Sequence, residues 1–272
     1  FLVLPNINLF VMPGYGKEVI YSNLILKLFL YAIFFPNLVL SSLGSVPYAS
    51  HTWSIGTEEQ FYLVWPVMLK YFKKYRIALM LFIIAFYLAF GHFLTTHYSN
   101  ILPYKNVIRD FWSKFNIDCM AIGGLFSILL YQKSKLLKVL QNNILFYITI
   151  IVTIILLLKG VEIPKFHYEF YSILFGIIIL NFASNDTIKI SLENKIFNYL
   201  GNISYGLYMY HPIGIVLAIF ICIQINIVTN WFIYPLSMGL TILLAGLSYK
   251  YFESFFLKFK DRFSNVLSGN RA

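Results

Sequence analysis

Apolar residues along this chain gather in runs of about 15 to 20, the length an α-helix needs to cross a bilayer. Nine stretches read as helices: 1–12, 23–42, 58–72, 77–96, 116–131, 144–158, 168–183, 203–223 and 231–252. Between them lie short polar gaps, and the basic residues concentrate in a few of these. Lys70, Lys73, Lys74 and Arg76 occupy 70–76, Lys133, Lys135 and Lys138 occupy 132–143, and Lys258, Lys260 and Arg262 lie in the tail. The positive-inside rule assigns those three regions to the cytoplasm. Alternation then puts 43–57, 97–115, 159–167 and 224–230 outside. The stretch 23–42 fits least well, because Lys27 sits near one end and Pro36 and Asn37 interrupt the other half. A re-entrant or interfacial segment is the alternative there. The expected fold is all-α, a polytopic transmembrane helical bundle with eight or nine apolar segments present.

Composition agrees with this pattern. Of 272 residues 59% are hydrophobic and 12% charged, about half the charged share of an ordinary soluble domain. The formal charge of +10 follows the gaps between apolar runs, and no basic stripe interleaved with stacking aromatics appears, so a nucleic-acid partner is not expected and membrane lipid is. Cys119 and Cys222 both fall in apolar stretches with no CxxC pair and no Cys/His cluster, which makes them small buried hydrophobes and gives no metal site. No internal repeat or low-complexity tract is present. The chain begins on Phe1, inside a hydrophobic segment, and the expectation is that something N-terminal precedes it.

The polar residues most out of place run from His51 through Trp53, Ser54, Thr57, Glu58, Glu59 and Gln60 to Tyr62 and Trp65, where the chain enters the membrane from outside. Thr57 with Gln60 three residues later has the form of a capping box, which predicts a helix beginning there, with Glu58, Phe61, Tyr62 and Trp65 on one face. Helix-end electrostatics and an aromatic belt would account for part of this cluster. A carboxylate pair, an imidazole and a hydroxyl at a membrane mouth exceed what capping needs, and ionisable groups at such depth mark function.

The run W-S-I-G-T-E-E-Q-F-Y resembles the W-S-L-x-x-E-x-x-F-Y hallmark of the acyltransferase-3 membrane proteins, with Glu58 on the family's Glu and Trp53, Ser54, Phe61 and Tyr62 in register. Three further stretches resemble the family in the same order. Residues 115–125 match an R-F-D-x-x-x-x-G-x-L stretch, keeping Asp118 and Gly123 but with Asn116 where Arg is common. Residues 200–212 match L-G-x-I-S-Y-x-L-Y-L-x-H-x-P, with Ser204, Tyr205, Tyr208 and His211 in place and the Pro one residue early. Residues 247–253 are similar to the closing helix, with Glu253 at its acidic position. Glu253 suits a direct role in the site and an edge partnership with Lys250 or Lys258 equally.

The resemblance implies a single membrane acyltransferase domain over 1–272 that lacks its first helices, of an expected ten or so. It implies an O-acyltransferase of the bacterial cytoplasmic membrane that uses acyl-CoA, usually acetyl-CoA, as co-substrate with no bound cofactor, and a glycan or lipid-linked sugar as acceptor. The family's first helix carries a His read as the base, followed by an R-x-x-R loop that handles the donor, and neither pattern occurs in this sequence. Glu58 is then the orienter or polar partner of that base and His51 a weaker catalytic candidate. Trp53, Ser54, Tyr62, Asp118, Ser204, Tyr205 and His211 would shape the substrate site, with His211 equally suited to a packed helix kink. His92, His97 and His167 read as interfacial filling without acidic partners at helical spacing. A transporter or flippase of glycan or acyl groups is the alternative from another class, and an inactive truncated relic a third.

Overall fold

The structure, a computed structural model, describes residues 4–11, 16–96 and 100–263, with side chains to 258; His97 lies outside them. The described chain is helical, without strands. In order it forms α1 (Lys17–Tyr21), α2 (Leu24–Ala32), α3 (Pro36–Ser42), α4 (Trp53–Tyr71), α5 (Arg76–Thr95), α6 (Lys105–Phe115), α7 (Ile117–Tyr131), α8 (Lys135–Leu140), α9 (Asn143–Leu158), α10 (His167–Ser184), α11 (Lys195–Asn202), α12 (Ser204–Gln224), α13 (Asn230–Ser248) and α14 (Ser254–Phe263), with a π-helical turn at Tyr249–Glu253.

Four segments are both long and apolar enough to cross a membrane: Arg76–Thr95, Lys105–Tyr131, Ser204–Gln224 and Asn230–Lys258. This is fewer than the expected eight or nine, for local reasons. The α4 helix has 19 residues but carries Glu58, Glu59 and Lys70. The α9 helix carries no charged residue but spans only 16 residues, roughly 24 Å at 1.5 Å per residue. The stretch 23–42 is not one helix: it breaks into α2 and α3, Phe34 turns through the left-handed region at φ 63°, and Pro36 starts α3 where its missing N–H costs nothing. The described part of 1–12 is not a membrane helix either. It makes two 3-10 turns, Leu4–Asn6 and Asn8–Phe10, in keeping with Pro5 and the turn-favouring Asn6 and Asn8.

The chain divides into two compact units. The larger, Asn23–Ser191, holds α2 to α10. Its core is built where α5 lies along α7: Leu79, Met80, Ile83 and Ala121 are buried and Trp65 of α4 packs against them. A Cβ on Gly124 would stand 2.9 Å from the Trp65 ring, so this glycine lets α4 and α7 approach, whereas nothing lies near Gly123, the glycine of the sequence pattern. A polar clasp closes one end, where Asn181 donates to Leu140 O, Asn185 to Gln141 O, and Gln141 to Ser184.

The second unit, residues 1–22 and 192–272, is dominated by α12 lying along α13. Gly206, Gly214, Ala218 and Cys222 make a buried stripe on α12, spaced by eight, four and four residues, and Ser237, Thr241 and Ala245 make the matching stripe on α13. Small residues allow close backbone approach without any hydrophobic drive, as between membrane helices.

Candidate active site

Helix α4 begins earlier than the capping-box reading expected. A 3-10 turn at Ser50–Thr52 leads directly into Trp53, so Thr57 is an interior residue and no acidic side chain occupies the first turn. Thr57 is instead the centre of a buried polar node. Its hydroxyl donates to Trp53 O at 3.3 Å or Lys114 O at 3.2 Å, and it accepts from Asn37 Nδ2 at 3.3 Å. Asn37 and Gln60 face each other amide to amide, each donating to the other at 3.1 Å, and Gln60 also donates at 2.6 Å to Phe34 O at the α2–α3 break. Gly56 fits directly against the Pro36 ring, where a Cβ would collide. Gly56, Thr57 and Gln60 therefore dock α4 on α3 and on the end of α6.

Glu58 points elsewhere. It is exposed and accepts a short hydrogen bond from Tyr62 Oη one turn on, while Phe61 stacks at an angle on Trp65 with centroids 4.3 Å apart. The expected shared face forms through these two i, i+4 pairs. As the sixth residue of α4, Glu58 lies past the first turn, where the helix dipole acts. Capping does not explain it. His51 is half-buried in the 3-10 turn, and Ser54 Oγ reaches its carbonyl at 3.5 Å.

Asp118 lies at the second position of α7 and is fully buried. Its carboxylate oxygens make no well-formed hydrogen bond. The groups that act on them are Glu169, in the first turn of the adjoining α10, and the backbone amides at the α7 N-terminus. Asn116, which stands where Arg is common in the family, takes the left-handed conformation at φ 38° between α6 and α7, and its backbone N–H donates to Tyr87 Oη at 3.3 Å. Asn tolerates that backbone better than Arg does.

Glu169 also lines a cavity of about 640 Å³ bounded by the ends of α5 and α6 and the start of α10. One wall is the Tyr87–Trp112 pair, stacked at 5.1 Å and tied twice: Trp112 Nε1 donates to Tyr87 O at 3.1 Å, and Tyr87 Oη donates to Trp112 O at 2.8 Å. His92 and His167 both line this cavity. Sequence spacing gave them no acidic partner, because the carboxylate that joins them follows His167 by only two residues and His92 comes from another helix.

The other motif residues lie in the second unit. Ser204 and Tyr205 open α12 and are exposed. Pro212 lacks the N–H that would reach Tyr208 O, and His211 Nδ1 takes that carbonyl at 2.7 Å, its ring beside the Tyr208 ring. Since a carbonyl only accepts, Nδ1 carries the hydrogen. The kink reading of His211 thus has a concrete basis. Glu253 ends the π-helical turn and accepts from Ser248 Oγ at 2.9 Å; Ser248 has spent its one hydrogen, so Tyr210 Oη donates to it at 3.1 Å. The expected lysine partner is not found. The Lys250 ammonium lies 5.2 Å from the centroid of the Tyr251 ring, and the ion pair among the described residues joins Arg109 to Asp110.

Among the described residues no three His, Cys, Asp or Glu side chains come together as metal ligands. No hydrogen bond or ion pair joins Asp118 to Glu58. No curated protein and no solved structure matches the chain. The sequence model of acyltransferase 3, described as an acyltransferase domain, matches residues 7–250. Such a match, over nearly the whole length, three of the four motif stretches and the start of the fourth, settles the lineage: the chain belongs to the acyltransferase-3 family of membrane proteins.

Proposed function

We propose that the protein is an integral membrane O-acyltransferase that moves an acyl group, acetyl in the simplest case, from acyl-CoA to a hydroxyl of a cell-surface polysaccharide or lipid-linked glycan. The family match over residues 7–250 carries the reading. In the reaction a base removes the acceptor hydroxyl proton and the oxygen attacks the thioester carbonyl carbon. The tetrahedral oxyanion then collapses, the C–S bond breaks and CoA leaves as its thiol. Base, orienting carboxylate and oxyanion donors are the groups the chemistry needs.

Glu58 supports this reading because its place in α4 frees it from a capping role, while Tyr62 fixes one carboxylate oxygen and leaves the other for a catalytic partner. Asp118 supports it differently. A buried carboxylate that faces a second carboxylate and makes no well-formed hydrogen bond works against stability, and functional sites are where such perturbed carboxylates gather. The membrane of residence is the bacterial cytoplasmic membrane, with donor arriving from the cytoplasm and acceptor from the opposite face.

The test uses native membranes containing the full-length protein, supplied with acetyl-CoA and a cell-envelope glycan fraction. Glycan-dependent release of free CoA thiol, with label appearing as alkali-labile ester on the glycan, is the expected result. Movement of glycan or acyl groups across vesicles with no CoA released would instead identify a carrier.

A further inference from the structure

Resting on the acyltransferase reading, we propose that the cavity between α5, α6 and the start of α10 binds a sugar ring of the acceptor that bears an anionic substituent. A pyranose presents C–H groups on its flat faces, hydroxyls at its edge and, where acidic, a carboxylate or phosphate beyond the ring. The cavity offers a counterpart for each. At about 640 Å³ it falls within the range of small-molecule sites and has room for one or two sugar units. The doubly hydrogen-bonded Tyr87–Trp112 pair makes a rigid aromatic wall that loses little freedom when a ring lies against it.

The polar groups sort by role. Glu169 accepts hydroxyl hydrogens. His167 receives the Ile163 N–H on Nδ1 at 3.3 Å, so its neutral ring carries the hydrogen on Nε2 and donates. The cations Lys165 and Arg109 line the same space, and only one carboxylate of the lining, Glu169, opposes them. Arg109 keeps Asp110 at 3.9 Å, but both side chains are about half exposed, and so loose a pair yields readily to a better anion. The cavity also opens at the helix ends where the charge pattern places residues 97–115 and 159–167 outside, the face an envelope glycan would approach.

The experiment is saturation-transfer NMR on the purified full-length protein in detergent, with methyl β-glucoside, methyl β-glucuronide and glucose 1-phosphate as probes. All three should bind saturably in the millimolar range. The two anionic probes should bind about threefold tighter than the glucoside, as an exposed charge pair allows. Lys165→Gln should reduce that advantage, and with Arg109→Gln abolish it, while leaving the glucoside unchanged, and Tyr168→Ala, an exposed change on the lining, should weaken all three. A carboxylate preference over phosphate, or the reverse, tells an acidic sugar from a phosphate-linked one. Absence of saturable binding, or binding indifferent to these variants, overturns the proposal.

Acyl-transfer kinetics on the same preparations separate the two readings. If the variants raise the acceptor KM and leave the acyl-CoA KM alone, both stand. Transfer with an unaltered acceptor KM removes the cavity from the acceptor path. Sugar binding without any transfer leaves the cavity as a sugar site and removes the enzyme reading.

Discussion

Glu58 and Glu59 carry the same charge one residue apart on α4, yet their surroundings differ: Glu58 is exposed and held by Tyr62, while Glu59 is half-buried. If Glu58 orients the catalytic base, Glu58→Gln should lower CoA release by about 100-fold or more, the scale of a positioned acid-base group, and Tyr62→Phe should cost part of that. Glu59→Gln is the control. Equal and mild losses in both glutamine variants, at matched membrane levels, would remove Glu58 from the chemistry. The family signature located this residue, but local pattern misread its neighbours, since a Thr-x-x-Gln spacing does not reveal that the preceding 3-10 turn already carries the helix start back to Trp53. His211 poses a second test. If it substitutes for the amide hydrogen that Pro212 lacks, His211→Ala should destabilise by about 1 kcal/mol, the net value of one hydrogen bond. In a Pro212→Ala background, where the helix can supply its own N–H, that cost should largely vanish. A double-mutant cycle on thermal unfolding in detergent measures the coupling. Additive effects would show that the Tyr208 carbonyl is not what holds the imidazole.

Among the elements, the α12–α13 pair depends most on small residues. A Cβ on Gly214 would collide with Thr241 Oγ1, which is already committed to Ser237 O at 2.7 Å, and would press on the α13 backbone. Gly214→Ala should therefore cost about 1 to 3 kcal/mol through overpacking. Gly239→Ala, with open space around its Cβ, should stabilise α13 by up to about 1 kcal/mol through helix propensity. Opposite shifts in melting temperature of the purified protein are expected, and parallel shifts would show that the contact is not limiting. The helices themselves were legible from apolar runs, because in a membrane chain length and apolarity signal a helix directly. Their docking was less so. Whether Gly123 or Gly124 meets Trp65, and that Asn37, Thr57 and Gln60 join three helices, depends on rotation and offset between elements, which no single run encodes. The cavity was hidden for the same reason, since its lining comes from three helices and a loop.

At the scale of the whole molecule, the charge pattern predicts a chain that crosses the membrane back and forth. From Trp53 onward, α4, α5, α7, α9, α10, α12 and α13 are seven helices, and α6 is too polar to be buried in lipid, with Lys105, Arg109, Asp110 and Lys114 in its 11 residues. If all seven cross, each basic gap falls on one side: 70–76 after α4, 132–142 after α7, 185–203 after α10 and the tail after α13. The loops at 96–116, 159–166 and 225–229 then fall on the other. This arrangement makes crossings of α4, α9 and α10, which do not combine the length and apolarity of the four clear spans. Only α9 is short, by a few residues that local thinning of the bilayer accommodates, while α4 and α10 have the length and fall short in apolarity through Glu58, Glu59 and Lys70 and through Glu169. The prediction can be checked with one cysteine on each side of α5. Lys74 and Asn106 are both exposed, Lys74 just before α5 and Asn106 in the polar α6 that follows it, so that single crossing separates them. In intact cells a membrane-impermeant maleimide should label Asn106→Cys and spare Lys74→Cys, and opening the cells should make both react. The native Cys119 and Cys222 lie within helices and set the background, measured on the unsubstituted protein. Labelling of Lys74→Cys in intact cells would invert the orientation and move the opening beside α10 to the side where acyl-CoA is made, taking the acceptor assignment of that cavity with it.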